Sequence, residues 1–250
     1  MIKVKVDTSD FQRSLKRFER ETEKTVFDGM KELAASASKE LAVRTKPFGI
    51  TGKAKKYAQA AVGKDVSKAY ASHGRTYNEL RKISPKKAYA YAHAINNNDF
   101  EAAQKIVRRT LSNYEGLSQV SDGGRHLESV RGSDGHVQTP NRIGLIDHTE
   151  YGEILEKKIP TAGLVKGVFL ACAQKLGGKP RIQVWLRKGA ELASTIARKT
   201  RKGVEVSITN NADYASTAIR PGDIVKAVKN AERLQTKKMQ RTVDRLAKNA

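Results

Sequence analysis

The stretch that decides the fold is the amino-terminal segment MIKVKVD, residues 1–7. Apolar and polar side chains alternate along it, with Ile2, Val4 and Val6 on one side and Lys3, Lys5 and Asp7 on the other. A period of two is typical of a β-strand that buries one face. The segment therefore predicts a strand with its apolar side against a core.

A long amphipathic helix is predicted directly after this strand. Ser9 and Gln12 have the spacing of a capping box, in which each side chain satisfies a free backbone amide. An apolar stripe with steps of three and four follows, formed by Phe11, Leu15, Phe18, Thr22, Val26, Met30, Leu33, Ala37 and Leu41. This pattern predicts a helix over about residues 10–44, which Pro47 and Gly49 end.

The same order of elements returns near the carboxyl end. Val204, Val206 and Ile208 alternate with polar residues, and the turn-forming segment 210–214 follows them. A last amphipathic helix is then predicted over about residues 222–246. Strand and helix at both ends predict an α+β fold, in which a small antiparallel sheet is covered by two long amphipathic helices.

The middle of the chain predicts an insertion into this core. We assign residues 1–72 and 143–250 to an α+β core domain, and residues 73–142 to an inserted αα-hairpin with a long flexible loop. Ser84-Pro85 has the form of a helix start, because proline is favoured at the first helical position. The turn-forming segment 96–99 separates the two helices of the hairpin.

The flexible part is predicted at residues 114–141 as a long exposed loop or a hairpin, because they are rich in Gly, Ser, Asp and His and have little periodicity. A loop of that length is unusual in a compact domain unless it serves an interface or a moving part. We expect it to be mobile in the isolated subunit, ordered only by a neighbour, and cut first in limited proteolysis.

Shorter elements are predicted from local patterns. The segment 182–186 fits a strand by its alternation and a helical turn by its Trp185. The remaining predicted elements are a helix over 52–71, a connector over 72–83, a strand over 142–147, a helix over 149–157, the most apolar helix over 161–176, and a short helix over 190–198.

The composition indicates a thin core and a strongly basic surface. Apolar residues make up 38% of the 250 residues, and 48 Lys and Arg against 26 Asp and Glu give a formal net charge of +22. So large an excess creates a positive potential that favours nucleic acid, an anionic membrane or the acidic face of another protein. A solvated basic surface with no dedicated ligand is the alternative.

Cys172 is the only cysteine, which excludes a disulfide within the chain and a cysteine-based zinc site. Its place within the apolar stripe of the helix over 161–176 is typical of a packing residue rather than a nucleophile. No run approaches the ~18 apolar residues of a membrane span, and the amino terminus has no signal-peptide core. We therefore expect a soluble protein made in a reducing cytoplasm.

No catalytic centre is visible in the sequence. His126, His136 and His148 have spacings of ten and twelve, which do not suit a metal site on a rigid scaffold, and exposed loop histidines are the favoured interpretation. A phosphate-binding loop, a dinucleotide-binding fingerprint and a nucleophile elbow are all absent from the sequence. We therefore predict no catalytic residue, no cofactor and no metal.

Nucleic-acid binding is the alternative function that the charge favours. Basic and aromatic residues interleave at 53–57 and at 86–91. Phosphate neutralisation by such residues gives salt-dependent binding without sequence preference. The basic residues are spread along the chain, however, and match no recognised DNA- or RNA-binding signature. A nuclease or other small enzyme is a third, weaker alternative.

Several short phrases resemble minor structural proteins of tailed bacteriophages. These are RTKPFG at 44–49, GKAKK at 52–56, AGLVKG at 162–167, WLRK at 185–188, and ITNN at 208–211 with Tyr214-Ala215. Together with the strand–helix layout, they make the chain similar to the tail-completion and head–tail joining family, whose members form rings at the neck. The resemblance covers roughly residues 1–70 and 160–250, and the segment 73–142 departs from the compact family members.

The resemblance implies a non-enzymatic virion protein that packs side by side with its own copies in a ring. Its neighbours would be the connector or portal on one side and the tail tube on the other, with DNA passing through the channel as a further partner and no membrane. It would assemble in the host cytoplasm and stay in the virion.

The last helix supplies the predicted interface of such a protein. Complementary charges at an interface speed association and fix register. We therefore expect the basic residues near its end to meet acidic faces of other virion subunits. They are Lys237, Lys238, Arg241, Arg245 and Lys248.

Overall fold

The computed structural model describes residues 2–3, 12, 26–117, 124–132, 135–138, 142–200, 203–212 and 215–249. These residues form a mixed α+β structure with a small antiparallel sheet, which confirms the predicted fold class at that level. The chain divides into two compact units. We name them the terminal unit, Met1–Lys55 with Gly163–Ala250, and the central unit, Lys56–Ala162.

Helices and strands account for most of the described residues. In chain order they are β1 (Ile2–Lys3), α1 (Val26–Arg44), α2 (Gly52–Ala69), β2 (Tyr70–Ser72), α3 (His73–Ile83), α4 (Pro85–Asn96), α5 (Phe100–Thr110), β3 (Tyr114–Leu117), α6 (Gly124–Glu128), β4 (Ile143–Ile146), α7 (His148–Lys158), a short 3₁₀ turn (Ile159–Thr161), α8 (Leu164–Lys175), a longer 3₁₀ helix (Val184–Ala190), β5 (Ala193–Thr200), β6 (Gly203–Asn210), α9 (Ala215–Ala218) and α10 (Pro221–Asn249).

The antiparallel sheet of the terminal unit has the strand order β1–β6–β5. β5 and β6 pair along their whole length, from Ala193 opposite Asn210 to Thr200 opposite Gly203. The predicted helix over 190–198 is therefore wrong. Its alanines and basic residues favour a helix locally, but pairing with β6 overrides that weak preference.

Helix α8 forms the centre of the core of the terminal unit. Its residues from Val165 to Ala173 are all buried, and it packs against α1, β5 and β6. An apolar surface on every side is typical of a helix enclosed by neighbours. The observed helix is shorter than the predicted one over 161–176, because Gly163 precedes it with a left-handed φ of 78°.

Helices α1 and α10 pack along each other. The buried cluster that joins them consists of Met30, Leu33, Ala37, Val228 and Ala231. Two half-buried valines of β6, Val204 and Val206, pack against this cluster. The predicted sheet residues Val4 and Val6 and the predicted core residue Phe18 lie outside the described residues.

The longer 3₁₀ helix docks on α8 through close backbone contacts at glycines. A Cβ atom on Gly167 would lie closer than 3.0 Å to the carbonyl oxygen of Leu186, and one on Gly189 would come as close to the backbone of α8. A Cβ on Gly163 would collide with the ring of Trp185. Only residues without a side chain allow this approach. Of the two alternatives for residues 182–186, the helical turn is confirmed.

The side chains of Trp185 and Asn210 attach further segments to α8 and the longer 3₁₀ helix through hydrogen bonds. Trp185 Nε1 donates to the carbonyl oxygen of Ile50 at 3.2 Å, which fixes the loop after α1. The buried Asn210, at the end of β6, donates through Nδ2 to the carbonyl oxygen of Val165 at 3.1 Å. Its Oδ1 accepts the backbone amide of Ala212 at 3.1 Å. Segments far apart in sequence therefore meet at the amino-terminal half of α8.

The central unit contains a parallel sheet that the sequence did not predict. Its strand order is β2–β4–β3, and both neighbouring pairs are parallel. The predicted strand over 142–147 is confirmed as β4. β2 and β4 both lie outside the predicted insertion 73–142. The central unit is therefore larger than that insertion, because it begins at Lys56 and ends at Ala162.

The helix starts predicted in the central unit are confirmed. The hydroxyl of Ser84 accepts the amide of Lys87 at 3.4 Å, and Asp99 Oδ1 accepts the amide of Ala102 at 3.0 Å. The predicted connector over 72–83 is wrong, because these residues form α3. Its amphipathic character was missed: Leu80 is fully buried while its charged neighbours are exposed.

The described part of residues 114–141 is structured, so the prediction of one continuous flexible loop is wrong for that part. It contains β3, which includes the buried Tyr114, and α6. Arg131 and Val137 form a β-bridge, and Lys68 Nζ donates to the carbonyl oxygen of Val137 at 2.7 Å. These contacts attach the segment to α2, and its mobility in the isolated subunit stays a prediction.

The glycine contacts on α8 lead to a first stability test. Gly167→Ala should lower the free energy of unfolding by about 1–3 kcal/mol, because the added methyl forces the backbone of the 3₁₀ helix away. Gly222→Ala is the matched control in the same unit, since a Cβ there meets nothing within 4 Å. It should leave stability unchanged or raise it by up to ~1 kcal/mol. Denaturant unfolding measures both, and an unaltered Gly167→Ala protein would contradict the docking.

Candidate interaction surface on the last helix

All five residues of the predicted interface lie on α10 and are exposed. Lys237, Arg241, Arg245 and Lys248 are separated by steps of three and four, so they share one face of the helix. Lys238 lies beside this face and is treated separately below. The structure therefore brings four of the five predicted residues together.

Three further basic residues extend this face toward the start of α10. Lys226, Lys229 and Arg233 continue the steps of three and four and are exposed. We define the basic face as Lys226, Lys229, Arg233, Lys237, Arg241, Arg245 and Lys248. At 1.5 Å per residue its ends lie ~33 Å apart along the helix axis. Sequence reasoning missed the first three residues, although their helical spacing was the signal that would have found them.

Lys238 is directed toward α1 instead. Its Nζ lies 2.8 Å from Glu32 Oε2, and on the same side Gln235 Nε2 donates to Ser36 Oγ at 2.6 Å. The buried Ala231 lies on this side as well. Helix α10 therefore has one side bound to α1, and the basic face lies on the other side.

The charge of α10 is strongly unbalanced. It contains eight Lys and Arg residues but only three acids, Asp223, Glu232 and Asp244. Asp244 is the acid whose position falls within the basic face, and it accepts a hydrogen bond from Gln240 Nε2 at 2.8 Å. Aligned cations on a low-dielectric body create a local positive potential that attracts polyanions.

Cys172 is confirmed as a buried packing residue of α8. Its Sγ lies 3.8 Å from the carbonyl oxygens of Ser194 and Thr209. Burial raises the pKa of the Cys172 thiol to about 11. A reactive thiolate needs a lowered pKa and solvent access, and this site provides neither.

Lys166 is a buried cation within α8, with 2% of its surface exposed. Burial lowers the pKa of its amine to about 8. The described residues provide no hydrogen-bond or ion-pair partner for this amine. Burial disfavours the charged form of this amine, so Lys166 opposes folding while it is charged.

His73, Tyr91 and Asp147 form a polar group in the central unit. His73 Nδ1 lies 2.7 Å from the hydroxyl of Tyr91, and its Nε2 lies 3.6 Å from Asp147 Oδ2. Burial lowers the pKa of His73 and raises the pKa of Tyr91, so both groups are held neutral. Asp147 also caps α7 by accepting the amide of Thr149 at 2.7 Å. This arrangement joins the starts of α3 and α7 to α4 and fits a packing role.

The interpretation of the loop histidines as exposed is wrong for two of the three. His126 is buried, and burial followed by the nearby Arg131 lowers its pKa to about 4. His136 is half-buried, with Nδ1 3.0 Å from Asp65 Oδ2, because the bridged segment folds onto α2. His148 is exposed. Within the described ranges, no three His, Cys, Asp or Glu side chains are grouped to hold a metal ion.

Among the helices that the structure describes, none combines the length and apolar character needed to cross a membrane.

The buried amine of Lys166 predicts a pH-dependent stability. Its pKa is about 8 in the folded chain and 10.5 in the reference state, so the unfolded chain binds more protons between these values. Stability attributable to this site should therefore rise as pH increases from about 8 to 10.5. Lys166→Met should stabilise the protein by up to ~3 kcal/mol at pH 7, and this gain should shrink toward pH 10.5.

Unfolding of the Lys166→Met protein at pH 7 and pH 10 tests this prediction. Lys179→Met, at an exposed lysine of the same unit, is the control and should show no pH-dependent gain. A Lys166→Met protein that is less stable than the original at both pH values would show that the amine has a stabilising partner.

Lys237 and Lys238 are neighbours on α10 but should differ in their contribution to stability. Lys238→Gln breaks the ion pair with Glu32 and should cost between ~0.2 and 1 kcal/mol, because both groups are exposed. Lys237→Gln should cost less, since Lys237 belongs to the basic face. Thermal unfolding at low and high salt measures both, and the difference should diminish at high salt. Equal costs at low salt would contradict the orientation given to Lys238.

Comparison with known proteins finds no relative for this chain. No family model matches it, and no match is found among the curated proteins or the solved structures. A function must therefore be proposed from its residues and their geometry.

Proposed function

We propose that this chain is a non-enzymatic structural protein of a tailed bacteriophage virion, and that it forms part of the neck or tail-completion ring joining head and tail. The observation that carries the proposal is that the sequence segments resembling this family pack against one another. Gly163 and Gly167 come from one phrase, Trp185 from a second and Asn210 from a third. All of them make contacts at the amino-terminal half of α8.

This meeting supports the proposal because isolated short matches are weak, whereas matches that pack together behave as one structural unit. The loop that follows the phrase at 44–49 joins the same place, through the hydrogen bond from Trp185 to Ile50.

The edge of the antiparallel sheet supports assembly from several copies. β5 is the outer strand, and Ile196 at its middle is 54% exposed. An outer strand presents backbone groups that can pair with another chain. A contact between two different surfaces of identical subunits closes into a ring when its rotation permits. We therefore propose that neighbouring copies meet at β5.

The proposed partners follow from the position in the virion. Copies of the chain contact one another in the ring, the connector or portal lies on one side, and the tail tube lies on the other. Acidic faces on these neighbours would complement the basic surface and speed association. The ring would assemble in the host cytoplasm and needs no cofactor.

Ring formation by the purified chain tests the proposal. We expect negative-stain microscopy and mass photometry to show one discrete closed ring, without DNA and with the same mass at low and high salt. Ile196→Lys should fold normally by circular dichroism but stay monomeric, because a charge at the sheet edge opposes pairing. Val184→Lys, at a 73% exposed position outside the sheet, is the control and should form rings.

Three outcomes would count against the proposal or part of it. A chain that stays monomeric under all conditions would contradict the ring. Rings that persist in Ile196→Lys would contradict the use of β5. Association that requires DNA and disappears with salt would favour the alternative of a basic nucleic-acid-binding protein.

A further inference from the structure

The basic face of α10 is a long row of exposed charge on one helix. Its seven cations extend over ~33 Å, and all of them are exposed. The opposite side of the helix is held by α1, through the cluster around Val228 and the Lys238–Glu32 ion pair. Helix α1 therefore supports α10 as far as Met239, and the cations up to Lys237 are presented outward from a packed helix.

The chemistry of this face is unlike that of a protein–protein interface. Such interfaces have a buried centre enriched in aromatic residues and depleted in lysine. Helix α10 contains no aromatic residue, and Val225 and Leu234 are the large apolar side chains exposed beside its cations among the described residues. A surface that offers cations and almost no apolar anchor fits a partner recognised through charge alone. The sugar–phosphate backbone of nucleic acid is such a partner.

The dimensions of the face fit duplex DNA. One helical turn of the duplex is about 34–36 Å long, close to the ~33 Å of the basic face. Duplex DNA carries one negative charge per ~1.7 Å of axis, so phosphates are available along the whole face.

We propose that the basic face of α10 binds the backbone of duplex DNA without sequence preference. Each Lys or Arg of the face neutralises a phosphate, and release of the condensed counterions drives binding. This inference does not rest on the proposed ring, because it concerns a surface of the single chain and is measured with purified protein.

Fluorescence anisotropy with a labelled random duplex of about 30 base pairs tests the inference. If about six phosphates are contacted, the slope of log affinity against log salt should be near −5. The affinity should then fall by roughly 10³-fold between about 50 and 200 mM KCl. The variant carrying Lys229→Gln, Arg233→Gln, Lys237→Gln and Arg241→Gln should reduce the slope to about −2, one unit per lost contact.

A matched control removes the same charge elsewhere. Arg81, Lys105, Arg108 and Arg109 are exposed basic residues of α3 and α5, outside the basic and aromatic segments 53–57 and 86–91. Their joint replacement by glutamine lowers the net charge equally and should change the slope by less than about one unit. Glutamine is a good helix former, so both variants should fold, which circular dichroism verifies.

The outcomes separate a built surface from diffuse charge. The proposal is supported if the control variant still binds DNA and the α10 variant does not. Equal losses in both variants would overturn it, because binding would then follow net charge alone. Absence of binding at low salt would also overturn it. If the α10 variant binds DNA normally but loses an acidic polyglutamate peptide, the face recognises acidic protein instead.

Discussion

The close backbone approach between α8 and the longer 3₁₀ helix is the constraint on which the terminal unit depends. Gly167 and Gly189 let the two backbones come within the space that a single methyl group would fill. Gly163 provides the left-handed turn that begins α8 and leaves room for the ring of Trp185. Because interiors are close-packed, replacing Gly167 or Gly189 requires movement of backbone, and replacing Gly163 displaces the side chains of Trp185 and Leu186.

The other elements of the terminal unit are arranged in layers around α8. Helix α1 packs on α8, and α10 packs on α1, while β5 and β6 cover another side of α8. The outermost helix therefore has one side committed to α1 and the other open to solvent. A basic residue on the open side costs little, which explains how the cations of α10 accumulate on one face. The same arrangement leaves β5 as the sheet edge.

Helices and strands that depend on local sequence signals were predicted correctly. The caps at Ser84 and Asp99 and the alternation of β6 identified their elements correctly. Non-local pairing decided the rest: β5 resembles a helix until β6 pairs with it, and the three-residue β2 is too short to show a pattern. Four of the predicted interface residues share the basic face, but the contact that turns Lys238 toward α1 depends on Glu32, about two hundred residues away.

The emission of Trp185, the only tryptophan, reports directly on the junction at α8. During denaturant unfolding, its emission should shift to that of a solvated indole together with the loss of the helical circular dichroism that the terminal unit contributes, because the junction and the helices of this unit form one cooperative unit. A complete shift at lower denaturant concentration, with the helical signal unchanged, would contradict the account. The junction would then be a peripheral contact rather than the constraint that holds the unit together.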